Sequence, residues 1–224
     1  MDLTVVLPAI DEAESLRALL PRLKVVLGGL GLVYELLVID GGSRDDTPAI
    51  AAGEGATVMR QTAPGFGGAY LAAFPRAKGA YVLTMDADGS HDAEDVPRLW
   101  EKRGEADVVI GSRFVPGGAA EMPVFRYWAS RLLNAITRLG CGLPARDASS
   151  GFRLYKRATL EGVAIETQNF SVQQEILGRV LARGGRCVEV PFRYRPRRGG
   201  HSKAGFVRFA GSYLRLFRLL RSLK

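Results

Sequence analysis

Several residue types are scarce in this chain, and each scarcity excludes something. Only two cysteines and two histidines occur in 224 residues. Cys141 and Cys187 have no metal-ligand spacing around them, which argues against a disulfide framework or thiolate metal centre and leaves two reduced thiols. His91 and His201 are too few and too far apart for a zinc cluster. No run approaches the roughly 18 uninterrupted apolar residues of a membrane span, and the opening Met1-Asp2-Leu3-Thr4 lacks the basic region of a secretory leader. The expectation is a cytosolic protein. Low-complexity tracts are absent too, and 47% hydrophobic content is enough for one domain with a substantial core. Acid is missing from the C-terminus: ten of the 31 Lys and Arg, and none of the 23 Asp and Glu, lie between Val190 and Lys224. The net charge of +8 is therefore local, and it points to phosphate on a nucleotide, a nucleic acid or an anionic membrane.

Short apolar runs at Leu3 to Leu7, Tyr34 to Ile39, Ala56 to Met59, Ala80 to Met85 and Asp107 to Ile110 alternate with helical patterns. Those patterns cover Glu12 to Leu27, Thr47 to Ala52, Gly67 to Ala77 and Asp95 to Lys102. Strand alternating with helix predicts parallel βαβ units, whose ligands bind beyond the carboxyl ends of the strands. The second half is less regular. It predicts helices at Arg126 to Leu139 and Val172 to Arg183, a strand returning at Phe152 to Tyr155, another at Cys187 to Tyr194, and a helix from Gly205 onward.

Asp86 and Asp88 close the fourth run. Residues i and i+2 of an extended backbone project to one side, so the two carboxylates can aim at one point. A hard cation, Mg²⁺ or Mn²⁺, suits them, completing its shell with water and substrate phosphate oxygens. Ser90 joins them as a third candidate ligand. The alternative is a solvated strand-end turn. Asp40 ends the second run and falls on the same rim, although a turn or capping carboxylate reads alike.

The full set of motifs is ordered: Pro8-Ala9-Ile10-Asp11-Glu12, Asp40-Gly41-Gly42-Ser43, Gly65-Phe66-Gly67-Gly68, Asp86-Ala87-Asp88, Gly111-Ser112-Arg113, Asp147 through Arg153, Gln173-Gln174-Glu175, and Arg197 through Lys203. Together they resemble the inverting family-2 glycosyltransferases and, within them, the dolichol-phosphate mannosyltransferase or polyprenyl-phosphate sugar synthase group. The resemblance implies a GT-A-like single domain over residues 1–204, with a Rossmann-like, mostly parallel sheet flanked by helices. It places Pro8, Ala9, Glu12 and Asp40 at the nucleoside, and Arg197 and Lys203 over the donor diphosphate. Arg113, Arg126 and Ser130 fall around a lipid phosphate, with Asp147 and Glu175 near the acceptor. The Gly65 turn matches the family's glycine-rich entry to a helix, where backbone can approach a ligand and the N-terminus favours anions. The chain departs from the family pattern on the donor side. Gly41 stands where a second Asp is usual, Ile10-Asp11 where Tyr-Asn is, and Ala63 often where Lys is.

The implied reaction moves mannose or glucose from GDP-mannose or UDP-glucose to a dolichyl or polyprenyl phosphate. The implied setting is peripheral, on the cytoplasmic membrane face, with or without a separate membrane subunit. Residues 205–224 supply a candidate interface element: Phe206, Phe209, Tyr213, Leu216, Phe217, Leu220 and Leu223 share one helical face, with Arg208, Arg215, Arg218 and Arg221 largely opposite. An ordinary helix packed on the domain has the same pattern. Two other functions remain open at this level. A soluble transferase acting on a hydroxyl acceptor would need Asp147 or Glu175 as general base. A nucleic-acid-binding protein would use the basic C-terminus, but the aromatics follow helix spacing and form no stacking platform.

Overall fold

A computed structural model describes residues 1–196 and 209–223. Helices and strands alternate through the first half: β1 (Leu3–Ala9), α1 (Ala13–Gly29), β2 (Tyr34–Asp40), α2 (Thr47–Gly53), β3 (Thr57–Arg60), α3 (Gly65–Ala73), β4 (Tyr81–Thr84), α4 (Val96–Glu101) and β5 (Val108–Ser112). There follow β6 (Ala119–Ala120), α5 (Val124–Cys141), β7 (Arg153–Lys156), α6 (Val172–Ala182), β8 (Cys187–Pro191), β9 (Arg193–Tyr194) and α7 (Phe209–Ser222). The main sheet runs β3-β2-β1-β4-β7-β5-β8, and β6 pairs with β9 in a small second sheet.

Its strands are parallel except β7, which lies antiparallel between β4 and β5. That reversal positions the site. The beginning of β7 lies at the sheet edge where β4 and β5 end, with Arg153 opposite both Thr84 and Ile110. Thr84 Oγ1 donates to the Gly151 carbonyl (2.8 Å), and the Gly111 N–H donates to the Phe152 carbonyl (2.8 Å). The loop before β7 is thereby fixed beside the loop after β4.

Helices cover both faces, as buried parallel strands of Val, Leu and Ile require. One core joins Leu16, Leu20, Leu23 and Leu27 of α1 to Val96 and Leu99 of α4. The opposite core joins Ala69, Tyr70 and Ala73 of α3 to Ile176, Leu177 and Val180 of α6, and it includes Leu216 and Leu220 of α7. A β-carbon on Gly178 would overlap Leu220, and one on Gly140 would stand 2.6 Å from Phe217 Cε1, so α7 lies close against α6 and α5. Gln174 Nε2 donates to the Tyr213 hydroxyl (3.2 Å). Of the two readings of α7, these contacts fit the helix packed on the domain. The face carrying Leu216, Phe217 and Leu220 is covered by protein, and Arg215, Arg218 and Arg221 are exposed. Phe206 and Arg208 lie outside the described residues.

Candidate active site

The first two strand ends are bound together. Ala9 pairs with Asp40, and the Gly41 N–H donates to the Ala9 carbonyl (2.9 Å). The N-terminus of α1 is satisfied by the neighbouring loop: the Glu12 N–H donates to Thr47 Oγ1 (2.8 Å) and the Ala13 N–H to Asp45 Oδ2 (3.1 Å). Such donors otherwise lack partners in a helix. Asp40 is buried and accepts the Ser43 N–H at Oδ1 (2.9 Å). Pro8, Ala9, Glu12 and Asp40 thus share one rim. A β-carbon on Gly41 would overlap Cγ1 and Cδ1 of Ile10, so two of the three donor-side departures share one space.

β4 stops at Thr84, and Ala87-Asp88 form a turn with Gly89 at φ 77°. Asp86 and Asp88 therefore reach the rim through a turn, not through the extended strand that their i, i+2 spacing predicts. The Asp86 N–H donates to His91 Nδ1 (2.9 Å), which leaves the ring proton on Nε2, 3.8 Å from Asp86 Oδ2. His91 is buried and stacked on Phe152. The sequence dismisses this histidine as a metal ligand, and the structure gives it a different task, fixing the backbone and facing the carboxylate of Asp86. Behind Asp86, a β-carbon on Gly151 would meet Oδ1 at 3.3 Å. A side chain there would require Asp86 to give by a few tenths of an ångström.

Asp88 Oδ1 accepts the Ser90 N–H (3.0 Å), while Ser90 Oγ is buried and has no hydrogen-bond partner among the described residues. A buried hydroxyl of this kind can take a water, a ligand or a cation as its partner. Two carboxylates and this hydroxyl are hard oxygen donors, and they fit Mg²⁺ or Mn²⁺ supplemented by phosphate oxygens. The Arg195 N–H donates to the Ser90 carbonyl (3.1 Å), and its guanidinium pairs with Asp92 (2.8 Å), which also pairs with Arg22. The root of the basic C-terminal segment is therefore attached to the loop of the acidic pair. Arg197 and Lys203 lie outside the described residues.

Beyond β5, Asp147 has no exposed surface and holds Arg113 by three contacts: Oδ2 accepts the Arg113 N–H (3.0 Å) and Nε (2.7 Å), and Oδ1 accepts Nη2 (2.7 Å). Ser149 joins both, and Asn134 of α5 donates to Ser149 Oγ (2.9 Å) and to the Ser130 carbonyl (2.9 Å). Burial alone would raise the Asp147 carboxyl, but the Arg113 charge and hydrogen bonds outweigh it and hold the group below the usual carboxylate range. Asp147 is therefore unsuited to take a proton. Its role is to orient Arg113, whose charge also lies in the field of Asp86. Arg126 is exposed one turn before the half-buried Ser130.

Glu175 has different partners. Its buried carboxylate accepts the N–H groups of Glu166 (2.9 Å) and Thr167 (2.8 Å) and pairs with Arg179 (2.9 Å). It holds a loop in place. That loop explains the glycine-rich turn as well: β-carbons on Gly65 and Gly67 would overlap the carbonyls of Gln168 and Thr167. The glycines admit the chain's own backbone where the sequence predicts a ligand. One further residue escaped notice as a site support. Arg153, fully buried, donates to the carbonyls of Ser150 (2.8 Å) and Gln173 (2.7 Å) and so fixes the loop behind Asp86. Its place in the Ser150-Gly151-Phe152-Arg153 motif was the available signal.

Residues 4–163 match the glycosyl transferase family 2 profile. The chain is 37% identical over 216 residues to undecaprenyl-phosphate mannosyltransferase of Micrococcus luteus, covering 91% of this chain and 87% of that one. It is 33% identical over 214 residues to polyprenol monophosphomannose synthase of Mycolicibacterium smegmatis, covering 89% and 79%. In fold it is similar to glucosyl-3-phosphoglycerate synthase from Mycobacterium tuberculosis, solved with Mn²⁺, uridine diphosphate and glucosyl-3-phosphoglycerate. The TM-score is 0.75 at 21% identity, over 99% of this chain and 79% of that one. With a mostly parallel sheet, an acidic pair beyond β4 and this extent of similarity, the chain belongs to glycosyltransferase family 2.

Proposed function

We propose that this glycosyltransferase moves a hexose, from GDP-mannose or UDP-glucose, to a polyprenyl phosphate with inversion. The observation that carries the acceptor class is the state of the two candidate bases. Asp147 is ionised and held by Arg113, and Glu175 is buried under a loop. A hydroxyl acceptor needs a base for its proton. A phosphate monoester, mostly dianionic above its second pKa of about 6, does not. The names of the two sequence relatives support the same acceptor.

In this reading Pro8, Ala9, Glu12 and Asp40 hold the nucleoside. Asp86, Asp88 and Ser90 hold Mg²⁺ or Mn²⁺, which when bound offsets charge on the departing diphosphate. Arg113, kept in place by Asp147, faces the acceptor phosphate together with Arg126 and Ser130. One phosphate oxygen attacks the anomeric carbon from the face opposite the diphosphate; the glycosidic C–O bond breaks, and the nucleoside diphosphate leaves with the electron pair. Arg197 and Lys203 would supply positive charge to that leaving group. No helix among the described residues is long and apolar enough to cross a membrane; the reading places the protein at the cytoplasmic membrane face because that is where it would meet a lipid-phosphate acceptor.

The test is transfer of radiolabelled sugar from each donor to polyprenyl phosphate in detergent, with Mn²⁺ or with chelator. Lipid-extractable label that needs metal is expected from one donor. Label appearing undiminished under excess chelator, or from neither donor, contradicts the reading.

A further inference from the structure

His91 is a buried titratable residue beside the proposed cation site, and the reaction as drawn gives it no task. It is 3% exposed. Its ring stacks on Phe152 with centroids 5.1 Å apart and meets Phe192 edge-on at 5.4 Å. The backbone on either side of it is pinned as well. The Ser90 carbonyl accepts the Arg195 N–H (3.1 Å), and the Asp92 carboxylate pairs with Arg195 (2.8 Å) and with Arg22. Packed and tethered in this way, the imidazole is the fixed member of any contact it makes.

Both of its nitrogens face Asp86. Nδ1 accepts the Asp86 N–H (2.9 Å), whereas Nε2, 3.8 Å from Asp86 Oδ2, is beyond hydrogen-bond reach. The ring therefore grips the backbone of Asp86 and only faces its carboxylate. That grip comes where the sheet gives out. Just past β4 the Met85 N–H still reaches the Val6 carbonyl (3.2 Å), and the next N–H, that of Asp86, goes to the imidazole. A core histidine that merely satisfies a backbone donor is the ordinary reading of such a contact. Here, however, the residue it holds is a proposed cation ligand, and outer-shell partners that orient a metal's ligands typically govern affinity or activity by about 10–100-fold.

We propose that His91 is the positioning residue of the cation site: by accepting the Asp86 N–H at Nδ1 it fixes the point from which the Asp86 carboxylate projects, and so sets the affinity for Mg²⁺ or Mn²⁺. The proposal rests on the reading above that Asp86 and Asp88 hold the cation. His91 itself touches neither the metal nor a substrate in this role.

The test measures Mn²⁺ binding to the full chain with saturating GDP or UDP, from the paramagnetic resonance of the free ion, beside the metal-free melting temperature. Two variants separate position from packing. His91→Phe keeps the aromatic stack and loses the acceptor for the Asp86 N–H. His91→Asn gives up the stack and keeps an acceptor, its Oδ1, close to where Nδ1 stood. The Phe variant is expected to bind Mn²⁺ about tenfold or more weaker, and the Asn variant within about threefold of wild type although it melts lower. Transfer by the Phe variant should fall at low Mn²⁺ and recover at saturating Mn²⁺, with the KM for polyprenyl phosphate unchanged. An Asn variant binding no tighter than the Phe variant, whether both are weak or both match wild type, would make His91 a packing residue and overturn the proposal. A further arm uses wild type alone and so does not depend on how the variants fold: nitrogen NMR should show the His91 ring unprotonated at Nδ1 and protonated at Nε2, and the opposite tautomer would refute the contact on which the proposal stands. If wild type binds no Mn²⁺ with either nucleotide, the cation reading fails and takes the proposal with it. If wild type binds Mn²⁺ and the Phe variant binds it equally, the cation reading stands and only the role of His91 fails.

Discussion

Asp147 holds Arg113 from both carboxylate oxygens while the backbone N–H of Arg113 donates to the same group, so side chain and strand end are fixed by one buried anion. Removing the cation alone leaves that anion uncompensated. Arg113→Ala should cost about 3–5 kcal/mol in urea unfolding, the range for breaking a buried pair. Replacing both partners with apolar residues should cost less than either single change. A double replacement costing the sum of the two would show that the groups act independently.

The same pair sets an acid limb. The Asp147 carboxyl is held below its unfolded value, so its contribution is fully present above about pH 4 and is lost as pH falls through the folded-state pKa. Stability of Asp147→Asn, although lower at neutral pH, should therefore fall less steeply than wild type below about pH 4. Parallel acid limbs in thermal unfolding would contradict the assignment.

Ile10 fills the space that a side chain at position 41 would need. Gly41→Asp, which restores the acid usual in the family, should lower stability by about 1–3 kcal/mol through overpacking. Ile10→Ala in the same chain should recover most of that loss. Simple additivity of the two changes in melting temperature would refute the shared space.

Asp88→Asn keeps shape and removes the charge that a hard cation requires. Transfer should drop roughly a hundredfold or more, since Lewis-acid charge stabilisation is worth several kcal/mol. The melting point without metal should hardly move, while the rise on adding Mn²⁺ with nucleotide should vanish. A variant still stabilised by Mn²⁺ as wild type is would remove Asp88 from the site.

The alternation of apolar runs and helical patterns was enough to read β1 to β5 and α1 to α4, because parallel βαβ units are locally encoded. The rim positions of Asp40, Asp86 and Asp88 followed from it. What could not be read are the contacts of long sequence separation. Nothing local says that β7 inserts antiparallel between β4 and β5, or that Glu175 closes a loop over the α3 glycines. The two basic amphipathic helices show the limit best. Periodicity reveals that α5 and α7 each have an apolar face, but not what covers it, and the structure buries that of α7 and exposes that of α5. Likewise Arg153 and His91 read as ordinary polar residues until their burial gives them partners.

The central claim is that sugar passes to a lipid phosphate without a protein base, and a matched pair of acceptors tests it most directly. Polyprenyl phosphate and the corresponding polyprenol, identical but for the phosphate, would be compared in detergent with saturating donor and Mn²⁺ between about pH 5 and 9, which spans the acceptor's second ionisation near 6. The expected result is transfer to the phosphate alone, its rate rising through that ionisation and then levelling. Glycosylation of the alcohol at a comparable rate would contradict the claim.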